Sequence, residues 1–241
     1  MAAYYGLARG FVRTNAPIVI DSPAVLRLAL PPRGSLAPNN RVDPLKYYYA
    51  PLIGRVFAAR INLGLALLDG RYRRLLEIGY GSGLLLPTLA RAADVVDGID
   101  LASRPDEVRA ALAKMRVTVG ELAQGDACAL PFADARYDAV VAFSILEHLR
   151  REQLTRAIAE AHRVLSVGGR FLVGCPAVHT GMNVAFAAIG FRGIDQHHVS
   201  SIHDVLDVAK THFTVEKRAT LPRGVPLGWA PYGAVLLRKR G

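Results

Sequence analysis

One stretch constrains this chain more than any other: Leu75-Leu76-Glu77-Ile78-Gly79-Tyr80-Gly81-Ser82-Gly83. A short apolar run, one acidic residue and glycine at every second position predict a buried strand that enters a tight turn. A helix is expected next, through Leu84–Arg91. Glycines at 79, 81 and 83 remove the Cβ atoms that would hold a bulky ligand off the backbone. A helix start just beyond offers unpaired N–H groups. This is the layout of a nucleotide-type cofactor site.

From Arg74 onward strands and helices alternate, as in a parallel sheet with crossover helices. Strands are expected near Leu75–Ile78, Val95–Ile99, Gly120–Gln124, Tyr137–Phe143 and Arg170–Gly174. Helices are expected near Arg104–Met115, Glu152–Leu165 and Ile202–His212. Ser201 and Asp204 form a capping-box start for the last of these. Gly168-Gly169 suits a left-handed end to the Glu152 helix. Phe213–Ala219 and Tyr232–Arg238 read as strands with no helix between them, hence an antiparallel pair at the sheet edge. The expected fold is α/β, a Rossmann-like doubly wound sheet of five parallel strands plus a C-terminal antiparallel hairpin, seven strands in all. A helical N-terminal extension precedes it. Residues 1–45 hold six prolines and look irregular. Tyr47–Leu68 has helical periodicity, with Leu52, Val56, Ala59, Leu63 and Ala66 or Leu67 on one face. Residues 1–70 are therefore expected to form a substrate-covering segment ahead of a domain at 71–241.

Of the 241 residues, 51% are hydrophobic and no low-complexity tract appears, which argues against a disordered chain. No run approaches the roughly 18 apolar residues of a membrane span, and no signal-peptide pattern opens the sequence. Cys128 and Cys175 are too few for a disulfide framework and lack metal-ligand spacing. A cytoplasmic protein without a metal is the expectation. The net charge of +10 is uneven: residues 1–74 carry eleven basic and three acidic side chains, a net +8. Such a surface suits nucleic acid, acidic lipid headgroups at a membrane surface, or a phosphorylated substrate. It can equally do no more than keep the protein soluble.

The companions of the glycine turn narrow the cofactor. A nicotinamide fingerprint needs a third glycine where Leu84 stands. Asp100 closes the second strand, where a carboxylate can accept both ribose hydroxyls. Asp126, after the third strand, can accept a hydrogen bond from an adenine amine. Each has a plainer use: Glu77 can cap the turn, Asp100 the next helix, and Asp126 can be a turn aspartate.

Taken in order, Glu77-x-Gly79-x-Gly81-x-Gly83, Asp100, Gly125-Asp126-Ala127, Leu130-Pro131-Phe132, Tyr137-Asp138 and the 160–176 segment EAHRVLSVGGRFLVGCP form a longer pattern. Over roughly Arg74–Arg238 this pattern resembles the class I S-adenosylmethionine-dependent methyltransferases, in particular their small-molecule group. The resemblance implies S-adenosylmethionine as cofactor and S-adenosylhomocysteine as product. It places Gly79, Gly81 and Gly83 under the methionine portion, Glu77 toward its ammonium, Asp100 on the ribose, and Asp126 with Ala127 at the adenine. Tyr80, Leu101, Phe143 and Ser144 complete the implied set. Tyr80 stands where a smaller residue is commoner, and Tyr137 where phenylalanine is usual.

An oxygen acceptor needs its proton removed near neutral pH, for which histidine is the natural group. His148 lies just past the fourth strand, and can equally be read as packing or orienting a loop. His179, His197 and His198 lie between the fifth strand and the last helix, where the family places substrate contacts. His162 and His212 are expected to be structural. The apolar segment 181–191 reads either as a lid over a hydrophobic acceptor or as ordinary core. Transfer of a methyl group to oxygen or nitrogen of a small, hydrophobic or anionic acceptor is the expectation. RNA methylation is the competing enzyme reading, although the fourth strand lacks the Asn/Asp-Pro-Pro-Tyr/Phe run of base amine methylation. A non-catalytic S-adenosylmethionine binder and a dehydrogenase are the remaining alternatives.

Overall fold

The apolar run preceding the glycine turn becomes an interior strand of a seven-stranded sheet with order β3-β2-β1-β4-β5-β7-β6. The computed structural model describes residues 25–40, 43–176 and 199–241. Its strands are β1 (Tyr72–Ile78), β2 (Ala93–Asp100), β3 (Leu122–Gln124), β4 (Tyr137–Phe143), β5 (Leu165–Pro176), β6 (Phe213–Leu221) and β7 (Tyr232–Lys239). The first five are mutually parallel. Strand β7 inserts antiparallel between β5 and β6. The expected five-plus-hairpin sheet is the one observed.

Both faces of the sheet are covered, which is why its central strands read as continuous apolar runs. Alternate residues point to opposite sides. Leu76, Ile78, Val140 and Ala142 join one core with α5 (Arg151–Val164) and α6 (Ile202–Ala209). Leu75, Ala139 and Val141 join the other, with α2 (Ile53–Leu65), α3 (Leu86–Leu89) and α4 (Pro105–Lys114). Ser201 begins α6 as expected: its hydroxyl accepts from the Asp204 amide, and Asp204 Oδ2 accepts from the Ser201 amide at 2.8 Å.

Four local expectations are corrected. Tyr47–Leu68 is not one helix: α1 (Leu45–Tyr48) ends before Pro51, whose ring and missing N–H interrupt it. The buried face of α2 matches the expected spacing only at its end, where Leu63 and the following Leu67 are buried. Leu52 and Val56 are 75% and 51% exposed, whereas Gly54, Phe57, Ile61 and Gly64 turn inward. Phe57 stacks on Tyr47 and Tyr48, and this aromatic contact selects the buried stripe. The helix after the glycine turn is a single turn, because the glycine turn itself consumes most of the short link to β2. Gly168 does not cap α5. The chain turns extended at Leu165, and Gly168, at φ +71°, lies at the register shift between β4 and β5.

One buried charge holds the amino-terminal part of the sheet. Asp97 is fully buried on β2 and accepts from the Glu121 amide at 2.7 Å, Arg136 Nη2 at 2.8 Å and Tyr137 Oη at 3.0 Å. A Cβ on Gly120 would sit 2.1 Å from Asp97 Oδ1, so glycine makes room for the carboxylate. Removing one member of such a group leaves its partners uncompensated, at about 3–5 kcal/mol. Asp97→Ala is expected to lose about that much in urea unfolding. A loss under about 1 kcal/mol would show that water replaces the carboxylate.

Candidate active site

The glycine turn opens at the carboxyl end of β1, where the strand order reverses between β2 and β4; open α/β sheets bind ligands at such a point. Gly79, Gly81 and Gly83 all adopt left-handed backbone, at φ +80°, +52° and +85°. The Gly81 amide donates to Asp100 Oδ2 at 3.0 Å. Asp100 Oδ1 accepts from the amides of Ala102 and Ser103 at 2.9 and 2.8 Å. Asp100 thus ties the turn after β1 to the turn before α4. It organises that turn and also lines the cleft, so its two uses are compatible.

The cleft is a cavity of about 410 Å³, within the roughly 300–1,000 Å³ of small-ligand sites. It is lined by Glu77, Gly79, Tyr80, Gly81, Asp100 and Leu101 from the ends of β1 and β2, by Asp126 and Ala127 after β3, and by Phe143, Ser144 and His148 at and after the end of β4. Gly83 is not part of the lining. A Cβ there would meet Val108 Cγ1 at 2.6 Å, so this glycine serves the packing of α4. The Tyr80 ring turns into the core over Gly98, where a Cβ would come within 2.7 Å of it. A large residue is accepted here because β2 offers a glycine beneath it. Asp126 Oδ1 accepts the Cys128 amide at 2.8 Å, a turn aspartate that also borders the cavity.

Glu77 carries the clearest electrostatic signal. It is 5% exposed, and Oε2 has no hydrogen-bond partner among the described residues. Burial, and then the neighbouring Asp100, push its carboxyl well above the usual carboxylate range. A buried acidic oxygen left unpaired beside a cavity is matched by a ligand that brings a positive charge or donors. An amino-acid ammonium fits that donor set.

Expected proton acceptors divide. His148 is exposed at the cavity rim, in a short 3-10 turn at Leu146–His148. His179, His197, His198 and the segment 181–191 lie outside the described residues. The rings of His162 and His212 are 4.9 Å apart and pack near Phe213, away from the cleft. Among the described residues no group of three His, Cys, Asp or Glu could hold a metal ion, and no helix is long and apolar enough to cross a membrane.

The contributions from the N-terminal side have no signature in the sequence. Asn39 Nδ2 donates to Asp100 Oδ1 at 3.4 Å, and Asp43, Tyr48 and Arg60 line the cavity. Backbone bonds from Leu28 to Asn62 Oδ1 (2.7 Å) and Ala29 to Thr88 Oγ1 (2.9 Å) strap this segment down. These contacts join residues far apart in sequence, so no local spacing announces them. Glu147, next to His148, is a second group that spacing does not single out. It is 1% exposed, and neither carboxylate oxygen makes a well-formed hydrogen bond among the described residues.

The fold and cleft define a nucleotide-type cofactor protein of the Rossmann-like class with the seven-stranded, hairpin-ended sheet. Comparisons with known proteins narrow this class. Residues 76–173 match the methyltransferase domain family. A probable S-adenosylmethionine-dependent methyltransferase of Mycolicibacterium smegmatis is 36% identical over 104 residues, which are 43% of this chain and 38% of that protein. A ubiquinone biosynthesis O-methyltransferase of Alkalilimnicola ehrlichii is 29% identical over 150 residues, 58% of this chain and 51% of that one. The chain thus spans about half or less of the length of these curated relatives. The N-methyltransferase NodS of Bradyrhizobium japonicum, solved with S-adenosyl-L-homocysteine, shares the fold at TM-score 0.60 and 19% identity, covering 84% of this chain and 95% of its own. Residues 76–173 thus carry a methyltransferase domain, and over this region the chain is similar to S-adenosylmethionine-dependent methyltransferases.

Proposed function

We propose that the protein methylates an oxygen or nitrogen of a small-molecule acceptor of apolar or anionic character. The observation that carries this reading is the unpaired, buried Glu77 carboxylate in the lining of a ligand-sized cavity. Glu77 would take the cofactor's ammonium, Gly79 and Gly81 its methionine backbone, Asp100 its ribose, and Asp126 with Ala127 its adenine. Bound S-adenosylmethionine supplies an electrophilic methyl group, so the chain's own task is to align an acceptor and exclude water. Residues 1–70 would act as the covering segment, a reading supported by Leu28, Asn39, Asp43, Tyr48, Arg60 and Ile61, which line the cleft. His148, exposed at the rim, is the proton acceptor within reach of an entering hydroxyl. One relative is named an O-methyltransferase and a structural neighbour an N-methyltransferase, which supports leaving both atoms open.

Thermal unfolding with S-adenosylhomocysteine, S-adenosylmethionine and NAD tests the site. A ligand at about a hundred times its dissociation constant adds roughly 2.7 kcal/mol. Both sulfur ligands should stabilise the protein, NAD should not, and Asp100→Ala and Glu77→Gln should each remove most of the effect. Stabilisation by NAD alone, or by none, would defeat the reading. Release of S-adenosylhomocysteine on adding phenolic or amine acceptors then separates an enzyme from a binder.

A further inference from the structure

Arg60 is unlike the other half-buried arginines of this protein. Arg136, Arg163 and Arg170 each hold carboxylates at 2.6–2.9 Å. Arg60 makes no ion pair among the described residues, and its Nε is buried without a hydrogen-bond partner. Its guanidinium lies instead between two aromatic rings, 4.6 Å from the Phe57 centroid and 4.9 Å from that of Tyr232. Its Nη2 donates to Ser144 Oγ at 3.0 Å. Ser144 itself has φ +54°, a left-handed conformation that a non-glycine residue adopts at a cost. Both residues line the cavity, Arg60 from α2 and Ser144 from the end of β4.

A guanidinium needs anionic or acceptor oxygens for its donors, and a forked pair of bonds to a carboxylate or phenolate is its preferred partner. Here the rings hold the plane, the serine fixes one donor, and the cavity presents the remaining face. Nothing the sequence motifs assign uses this charge. We propose that Arg60 binds an anionic oxygen of the methyl acceptor, so that the enzyme selects acceptors bearing a carboxylate or an ionised hydroxyl. This inference rests on the methyltransferase reading above. The oxygen held is either the one methylated or a neighbouring carboxylate, and acceptor probes distinguish the two.

The experiment uses the full chain saturated with S-adenosylhomocysteine, whose own stabilising effect is measured first. Probes are 3,4-dihydroxybenzoate, its methyl ester, catechol and the doubly methoxylated ester, compared by thermal shift across a concentration series. At least one ionisable probe should bind more tightly than the doubly methoxylated ester. A preference for the free acid over its ester identifies a spectator carboxylate; a preference shared by catechol and the ester identifies the phenolic oxygen. Arg60→Gln should weaken the preferred probe by about 10-fold or more, the loss typical of a hydrogen bond to a charged group. It should leave S-adenosylhomocysteine binding within about 2-fold. Arg60→Lys, which keeps the charge but not the fork, should retain part of the preference, and it carries the test if Arg60→Gln does not fold. Equal binding of all four probes, or a preference that survives both substitutions, would overturn the proposal. Failure of S-adenosylhomocysteine to stabilise the wild-type protein would instead overturn the methyltransferase reading.

Discussion

Gly79→Ala should damage both the stability and the cofactor cleft of this protein. At φ +80° a Cβ costs roughly 1–2 kcal/mol in backbone strain alone. Gly70 provides the control. It has nearly the same angle, φ +79°, but a Cβ there would meet no atom within 4 Å, so Gly70→Ala isolates the strain. At Gly79 the new methyl would also lie 2.1 Å from Ile145 Cγ1 and 2.3 Å from Cδ1. The Ile145 side chain, which joins the wall of the cleft between Ser144 and Leu146, must shift to admit the methyl. The total expected loss is about 3 kcal/mol or more, which for a chain of this size lowers Tm by roughly 6–12 °C. Binding of S-adenosylhomocysteine should be lost as well, since Ile145 borders the same cavity. Calorimetry with and without that ligand checks both halves. If Gly79→Ala and Gly70→Ala lose the same stability and both still bind, then Ile145 relaxes freely and the turn does not set the cleft.

The features legible in the sequence are those written in local spacing. Glycine at alternate positions after an apolar run locates the turn, and the acidic residues ending the strands locate the cleft, because strand ends converge at a reversal in sheet order. What escapes is set by contacts between distant segments. The spacing of α2 admits two apolar stripes, and the choice between them comes from Phe57 meeting Tyr47 and Tyr48. Gly83 looks like a ligand contact because it shares the motif's rhythm, yet Val108 of α4 occupies its open side. Asp97 lies mid-strand, where periodicity alone gives no reason for a charge; Arg136 and Gly120 supply the reason. Arg60 reaches Ser144 across 84 residues of sequence, a pairing that only the assembled sheet creates.

Glu147 should make the protein less stable as pH rises through neutrality. Burial raises its carboxyl from the ordinary 4.5 to about 7, with its own backbone amide, Arg60 and the Cys175 thiol pulling it partly back. The groups facing it are Arg60 from α2, Cys175 from β5 and Tyr232 from β7. The folded protein therefore keeps a proton that the unfolded chain has already released between about pH 4.5 and 7. Stability from this group is complete below the lower value and lost as pH climbs through the upper one. A shift of this size corresponds to about 3 kcal/mol. Glu77, also raised, contributes in the same direction, whereas Asp69, Glu160, Asp204 and Asp207, all lowered, contribute in the opposite one at lower pH. Comparing Glu147→Gln with the wild type removes those shared contributions. The variant cannot ionise, so the difference between the two proteins should swing by about 3 kcal/mol in its favour from about pH 5 to about pH 8. Its buried amide needs a partner, which offsets the variant by a constant amount and leaves the swing intact. Urea unfolding at half-unit pH steps measures it. Parallel curves would mean that Glu147 is ionised in the folded protein across the whole range, against a raised carboxyl.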